Sequence, residues 1–308
     1  MSALTLRPPT LEELPEITAF FAAIESTYGS GGATEGEIRQ WLTSPLFNVE
    51  EDIRLASADG QIVGWIDFWD QNRAHNRLFL DVRAHPRDRA VYRRLLDWGE
   101  GRARELAEGT AIVRCGAVSD NEPLAAELSA RGFRVVRHFL TMEVDLADEP
   151  EPAVWPEGIV VRTFQPDDAQ AVYEALNEAF ADHWDFVPIP FDEWREFFLA
   201  SPEFDPSVIF IAEEDGQIAG VSLCRNERRP GTGHVWILGV RRPWRRRGLA
   251  RALLLHSFAE FRRRGRAKAD LGVDAENLTG AVRLYEGVGM HVARRFDSYE
   301  KGLPDREP

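Results

Sequence analysis

The chain is almost without lysine. Lys268 and Lys301 are the only two in 308 residues, so arginine carries nearly all of the positive charge. Cysteine is as scarce, and Cys115 and Cys224 lie far apart in apolar stretches. That argues against a disulfide framework or a zinc site, predicts two buried small hydrophobes with no bound metal, and fits a reducing cytoplasm. No apolar run approaches the ~18 residues of a membrane span. The opening, MSALTLRPPTLEELPE, has no basic segment followed by an apolar one, so no signal peptide is expected. Positive charge is also short overall: 37 Lys and Arg against 51 Asp and Glu give a net charge of −14. Such a balance weighs against nonspecific nucleic-acid binding, which depends on neutralising phosphates.

What is present points to two ordinary globular cores. Apolar residues make up 44% and charged residues 29% of the chain, and the length suggests about two domains. The chain also repeats itself. ADGQIVGWI at 58–66 and EDGQIAGVS at 214–222 are nearly one segment, offset by 156 positions. In each copy an Asp-Gly pair separates two apolar runs, the signature of a β-hairpin with a two-residue turn. Arg7 and Arg162 each open a short extended stretch that leads through an acidic capping-type segment into an amphipathic helix. LFLDV (78–82) matches WILGV (236–240), and ARGFRVV (130–136) matches GVGMHVA (287–293). Between the copies, DLADEPEPAVWPEG (145–158) is rich in Pro and Glu and reads as a linker. The expected domains are 1–148 and 149–308. Each reads strand, one or two helices, hairpin, long strand, helix, strand, helix, strand: a mixed, mostly antiparallel α/β sheet flanked by helices.

The strongest chemical signal is GVRRPWRRRGLARALL (239–254). An acidic chain has placed five arginines within the seven positions 241–247. Strand 234–240 runs into this loop, and Gly248 opens a helix whose apolar face carries Ala250, Leu253, Leu254, Phe258 and Phe261. Gly265 is a suitable stop. At such a strand-to-helix turn the free N–H groups of the first helical turn point outward and bind phosphate readily. Gly248 lets the backbone come close to the anion. The loop is neither a G-x-x-x-x-G-K-[ST] nor a G-x-G-x-x-G nucleotide motif.

Arg245, Gly248 and Ala250, following a strand that ends at Val240, resemble the pyrophosphate loop of the GCN5-related N-acetyltransferases. A second signature of that superfamily lies downstream in DAENLTGAVRLYEGVGM (274–290). The tandem arrangement resembles mycothiol synthase and its relatives. The resemblance implies two tandem domains of that type, with acetyl-CoA as co-substrate and catalysis in the C-terminal one. It places the pantetheine arm along 236–240, splayed from the strand that begins near Lys268, with Leu238 and Val240 offering backbone groups. It places the pyrophosphate on Arg245, Arg246, Arg247, Gly248, Leu249, Ala250 and Arg251, and Asn277 beside the coenzyme. It makes Tyr285 the proton donor to the leaving thiolate. Mycothiol synthases carry a basic glutamate near the start of the equivalent strand; here His234 stands there, and imidazole suits a base at neutral pH.

The first copy departs from the pattern. Its loop, VRAHPRDRAVYRRLL (82–96), has no glycine, and Leu128 occupies the position of Tyr285. It is expected to bind no coenzyme, to catalyse nothing and to wall the acceptor cleft. Acceptor recognition is expected from FADHWDFVPIPFDEWREFF (180–198), through Asp182, Trp184 and Trp194; acids beside aromatics suit a cationic amine. The expected acceptor is a small-molecule primary amine, and the expected state a monomer without nucleic-acid or membrane partners. Two rivals remain. Eleven positive residues between Arg241 and Lys268 could mark a nucleic-acid surface, and the chain could be an acyl-CoA sensor without catalysis, against which the intact Tyr285 speaks.

Overall fold

The computed structural model describes residues 4–29, 31–70, 73–277 and 279–303. The first repeat runs β1 (Thr5–Arg7), α1 (Leu14–Tyr28), α2 (Glu35–Thr43), α3 (Val49–Asp52), β2 (Ile53–Ala58), β3 (Gln61–Asp70), β4 (Arg77–Ala84), α4 (Arg89–Leu106), β5 (Ala111–Val118), α5 (Glu122–Ala130) and β6 (Arg134–Asp145). The second runs β7 (Val160–Thr163), α6 (Ala169–Phe180), α7 (Phe191–Phe198), β8 (Ile209–Glu214), β9 (Gln217–Arg229), β10 (Thr232–Val240), α8 (Leu249–Arg263), β11 (Lys268–Asp274), α9 (Ala281–Glu286) and β12 (His291–Leu303). The Asp-Gly pairs form the expected turns: Asp59 and Gly60 have φ of 51° and 77°, Asp215 and Gly216 of 49° and 75°. Two successive left-handed residues give the turn whose twist matches the flanking strands.

The chain divides into two compact units, Met1–His138 with Arg295–Pro308, and Phe139–Arg294. The boundary expected from the sequence repeat is 148/149, whereas the compact units change over at two other places. The reason is an exchange of last strands. In the first unit, β12 pairs antiparallel with β5, from Phe296↔Val118 to Leu303↔Ala111. In the second, β6 pairs antiparallel with β11, from Lys268↔Asp145 to Asp274↔Phe139. Each sheet is therefore completed by the other repeat's final strand. Within the units the strand orders are the same, β1-β2-β3-β4-β5-β12 and β7-β8-β9-β10-β11-β6. One parallel pair, β4/β5 or β10/β11, interrupts an otherwise antiparallel ladder.

Helices cover both faces of each sheet. In the second unit α8 packs Leu253, Leu254, Phe258 and Phe261 on one face with Val235 and Leu271. On the other face α6 and α7 pack Val172, Leu176, Trp194 and Phe198 against Ile211, Val221 and Leu223. Past a bulge at Ala219, β9 sends Val221 and Leu223 to the α6/α7 face and Cys224 to the α8 face. Both cysteines are free and buried.

Candidate functional site: the open end of the second sheet

β10 and β11 pair in parallel from Thr232↔Lys268 to Val235↔Leu271, and the pairing ends there. Residues 236–240 and 272–274 run on without a ladder between them, which opens the sheet at its C-terminal edge. In parallel sheets ligands bind at that end of the strands. A bulge sits where the opening begins. Val235 opposes Cys224 and Ile237 opposes Leu223, so β10 carries one extra residue at Trp236. The extra residue turns Trp236 and Ile237 toward the same α6/α7 face, where Trp236 stacks on Phe198 with ring centroids 5.3 Å apart. A bulge also breaks the ladder locally and frees backbone groups from strand pairing. Leu238 and Val240 lie just beyond it.

The loop that follows has the geometry of an anion cradle. Arg246 has φ 61° and Gly248 φ 87°. A Cβ on Gly248 would meet nothing within 4 Å, so glycine is needed there for the backbone angle and not for space. The first bond of α8 is Ala252 N–H to Gly248 O, at 3.1 Å. Ahead of it the N–H groups of Leu249, Ala250 and Arg251 face outward, with the positive end of the helix dipole behind them. These features fit a pyrophosphate held by backbone groups.

The arginine side chains have other partners. Arg241 Nε donates to Glu178 at 2.6 Å, Arg245 Nη1 to Asp182 at 3.0 Å and Arg247 Nη2 to Glu214 at 2.6 Å. Arg242 also pairs with Asp182, and Arg251 with Glu151 of the linker. Trp244 Nε1 donates to Glu214 at 2.6 Å. Hydrogen bonds from Arg247 and Trp244 pull the Glu214 carboxyl down to about 2. Among the described residues Arg246, which is exposed, is the one member of the five without a carboxylate partner. The arginines thus tie the loop to the ends of α6 and β8, and the backbone is left to face an anion.

Tyr285 lies on α9, 8% exposed and packed with the core beneath α8. Its hydroxyl has no hydrogen-bond partner among the described residues, and burial pushes the phenol up to about 12. The side chain is protonated at any physiological pH. Asn277 Oδ1 accepts from Thr279 N–H at 2.7 Å; its side chain holds the turn ahead of α9.

His234, the third residue of β10, is buried. It is 6% exposed, on the α6/α7 face of β10, and its Nδ1 lies 2.6 Å from Asp270 Oδ1 on β11. Burial lowers its pKa, and the Asp270 hydrogen bond works against that. Asp270, Trp236 and the bulge were not singled out from the sequence. A lone aspartate within the apolar run ADLGV (269–273) was the available signal.

The three expected acceptor contacts do not come together. Asp182 is tied to Arg242 and Arg245. Trp194 lies in an aromatic core, with ring centroids 5.0 Å from Phe198 and 5.6 Å from Tyr173, because the apolar stripe of α7 needs it there. Trp184 is partly exposed, beside Phe139.

The first unit shows what the second would look like without these features. The β3/β4 register from Gly64↔Ala84 to Asp70↔Leu78 is regular, with no bulge in the long strand. No residue between Arg83 and Tyr92 has a positive φ. A Cβ on Gly64 would strike Leu95 as one on Gly220 would strike Leu253, so Leu95 corresponds to Leu253. Counting back, Ala90 takes the place of Gly248 and Tyr92 that of Ala250. The fully buried Tyr92 donates to Ala84 O at 2.7 Å, accepts from Asn121 Nδ2 at 3.0 Å and lies 3.2 Å from Tyr28 Oη. An aromatic ring fills the place of the small loop residue. Leu128 is fully buried and ends α5 as Tyr285 ends α9: Phe133 N–H bonds to Leu128 O and Met290 N–H to Tyr285 O.

Comparison with known proteins agrees with this geometry. The family model described as the acetyltransferase (GNAT) family matches residues 169–290. The mycothiol acetyltransferase of Streptomyces bingchenggensis is 30% identical over 305 residues, covering 96% of this chain and 92% of the relative. That of Thermomonospora curvata is 36% identical over 199 residues, covering 62% of this chain and 65% of the relative. A crystal structure of a GCN5-related N-acetyltransferase from Sphaerobacter thermophilus superposes with a TM-score of 0.79 at 32% identity, covering 99% of this chain and 98% of the other. A tandem GNAT protein from the clavulanic acid biosynthesis pathway shares the fold, with a TM-score of 0.76 at 16% identity and coverage of 99% and 100%. With one cradle built and its counterpart filled in, the chain belongs to the GNAT acetyltransferase family, in its tandem form.

Proposed function

We propose that the second unit transfers an acetyl group from acetyl-CoA to the primary amine of a small molecule, and that the first unit takes no coenzyme. The contrast between the two loops carries the reading. One has two left-handed residues, a bulged strand before it and free helix N–H groups; the other has none of the first two and a buried tyrosine in the first turn of α4.

The pyrophosphate would lie on the backbone from Arg245 to Arg251, and the pantetheine in the opening beside Leu238 and Val240. A backbone N–H near the bulge would stabilise the oxyanion. His234 Nε2 takes a proton from the ammonium, and the neutral nitrogen adds to the thioester carbonyl carbon. The C–S bond then breaks with its electron pair going to sulfur, which takes the proton of Tyr285. The second nitrogen proton returns to the phenolate through solvent. One proton is released per acetyl group moved.

The relatives' name supports a cysteine-bearing sugar conjugate as the first acceptor to try, with aminoglycosides, polyamines and peptide N-termini after it. Trp184 and Trp236 are the aromatic surfaces closest in character to such a site, and Asp182 and Asn277 serve the loops around it. The test is calorimetric titration of acetyl-CoA. One site per chain is expected; two sites would restore the first unit as a coenzyme domain, and no binding would sink the transferase reading.

A further inference from the structure

His234 belongs to a row of side chains that crosses four strands of the second unit. Arg225 on β9 stands opposite His234 on β10, His234 beside Asp270 on β11, and Asp270 opposite Glu143 on β6. Asp270 is 2% exposed and holds two partners: His234 through Oδ1, at 2.6 Å, and Arg229 through Oδ2. Arg229 also reaches Glu143, at 3.4 Å, and Lys268 Nζ donates to Glu143 at 2.6 Å. Arg225 is drawn the other way, to Glu203, at 3.2 Å.

The imidazole has two nitrogens, and this arrangement uses one of them. Nδ1 faces a carboxylate that can only accept, so Nδ1 carries the proton. Nε2 then holds the lone pair. Among the described residues Nε2 has no hydrogen-bond partner. His234 lies on the face of β10 that also carries Trp236, two residues before that bulged position.

We propose that Asp270 is the positioning residue that makes His234 Nε2 the proton acceptor for the attacking amine; this rests on the transferase reading above. Asp270 fixes the tautomer and the ring orientation, and its charge compensates the imidazolium that forms. The compensation is needed because the groups around the ring are of mixed sign. Arg225 and Arg228 of β9 disfavour an imidazolium, and Asp270 alone favours it directly. Glu203, Glu143 and Lys268 act one step further out, through Arg225, Arg229 and Glu143. Burial works against the Asp270 charge as well, yet His234 and Arg229 hold that carboxyl below its ordinary range. Asp270 therefore stays ionised across the working pH. The corresponding row of the first unit, Phe79, Arg114 and Glu300, contains no imidazole, in keeping with a unit that moves no proton.

The experiment uses the full chain with acetyl-CoA and the fastest amine from a panel of cysteine amide, glucosamine, spermidine and glycinamide. Thiol release is followed against pH for the wild type, Asp270→Asn, Asp270→Glu, His234→Gln and the double variant Asp270→Asn/His234→Gln. In parallel, 15N NMR of the His234 ring reads its tautomer in the wild type and in Asp270→Asn. The wild type should show Nδ1–H. Asp270→Asn should lower the kcat/KM plateau on the order of 10²-fold or more and move the acid limb to lower pH, since the anion that raises the imidazole pKa is gone. Asp270→Glu should recover at least part of the plateau. The double variant should be no slower than His234→Gln.

The proposal is overturned by Nε2–H in the wild type, by losses that multiply in the double variant, or by an Asp270→Asn protein that loses stability alone. The NMR result does not depend on turnover. A silent wild type with Nδ1–H, lost in Asp270→Asn, would remove the transferase reading and leave the positioning contact standing.

Discussion

Replacing Tyr285 with Phe tests the proton donor with little disturbance to the fold. The hydroxyl has no partner to lose among the described residues, and the ring keeps its place in the buried core that α8 and β11 share, so stability should change by less than about 1 kcal/mol. The catalytic loss follows from the environment of the phenol. Burial holds it at about 12, against about 8.5 for an ordinary thiol. A complete transfer ahead of C–S cleavage would be uphill by 3.5 pKa units, about 5 kcal/mol at 1.36 kcal/mol per unit. The proton must therefore move as the bond breaks. Such assistance is worth roughly 10²–10⁴-fold. Tyr285→Phe should lower kcat by that factor with the KM for acetyl-CoA nearly unchanged, because the hydroxyl acts in the transition state and not in binding. The deficit should shrink with an acetyl thioester whose thiol is more acidic and needs no proton to leave. The wild type should show no alkaline loss from this group until the pH approaches 12, since the donor is protonated below that value. A Tyr285→Phe enzyme with more than about a tenth of the wild-type kcat would refute the role, as would a deficit that does not depend on the leaving thiol.

Three further outcomes are expected. In Gly248→Ala, a left-handed non-glycine residue costs about 1–2 kcal/mol. The loss appears as a lower urea midpoint if the loop keeps its shape, or as acetyl-CoA binding weaker by about 5- to 30-fold if it relaxes; denaturation and calorimetry together decide, and no change in either would show that the φ of 87° is not needed. Tyr92→Phe leaves the buried Ala84 carbonyl without its donor and should destabilise the protein by about 1–3 kcal/mol without altering kcat; a fall in kcat in the folded variant would give the first unit a part in the chemistry. Asp182→Asn separates loop ordering from acceptor binding. The KM for acetyl-CoA should move and that for the amine should not, and the reverse pattern would return Asp182 to the acceptor site.

What was legible in the sequence was what depends on neighbours along the chain. The Asp-Gly turns, the glycine at 248 and the α8 stripe from Leu253 to Phe261 each follow from a local backbone requirement and are where the spacing put them; Ala250, expected on that stripe, is only half-buried at the loop end. The exchange of β6 and β12 has no local signal. Each strand has the same alternation whichever β5-type strand it pairs with, so the linker at 145–158 marks the end of a repeat and not the edge of a compact unit.

The arginine loop shows the same division at the scale of side chains. That a chain of net charge −14 concentrates arginine beside a helix start is visible in the sequence, and so is the glycine whose left-handed backbone opens the helix. The partners of those arginines are not visible, because Glu178, Asp182 and Glu214 lie 63, 60 and 33 positions away along the chain. With four of its five arginines paired to the protein's own carboxylates, the loop can hold two left-handed residues and a row of N–H groups in place before any ligand arrives. An anion then meets a preformed set of backbone donors, whose fixed direction discriminates better than mobile side-chain charge. On the proposed transferase reading, the arginines would serve the coenzyme by holding the loop, and Asp182 and Glu214 would support the site without touching its ligand.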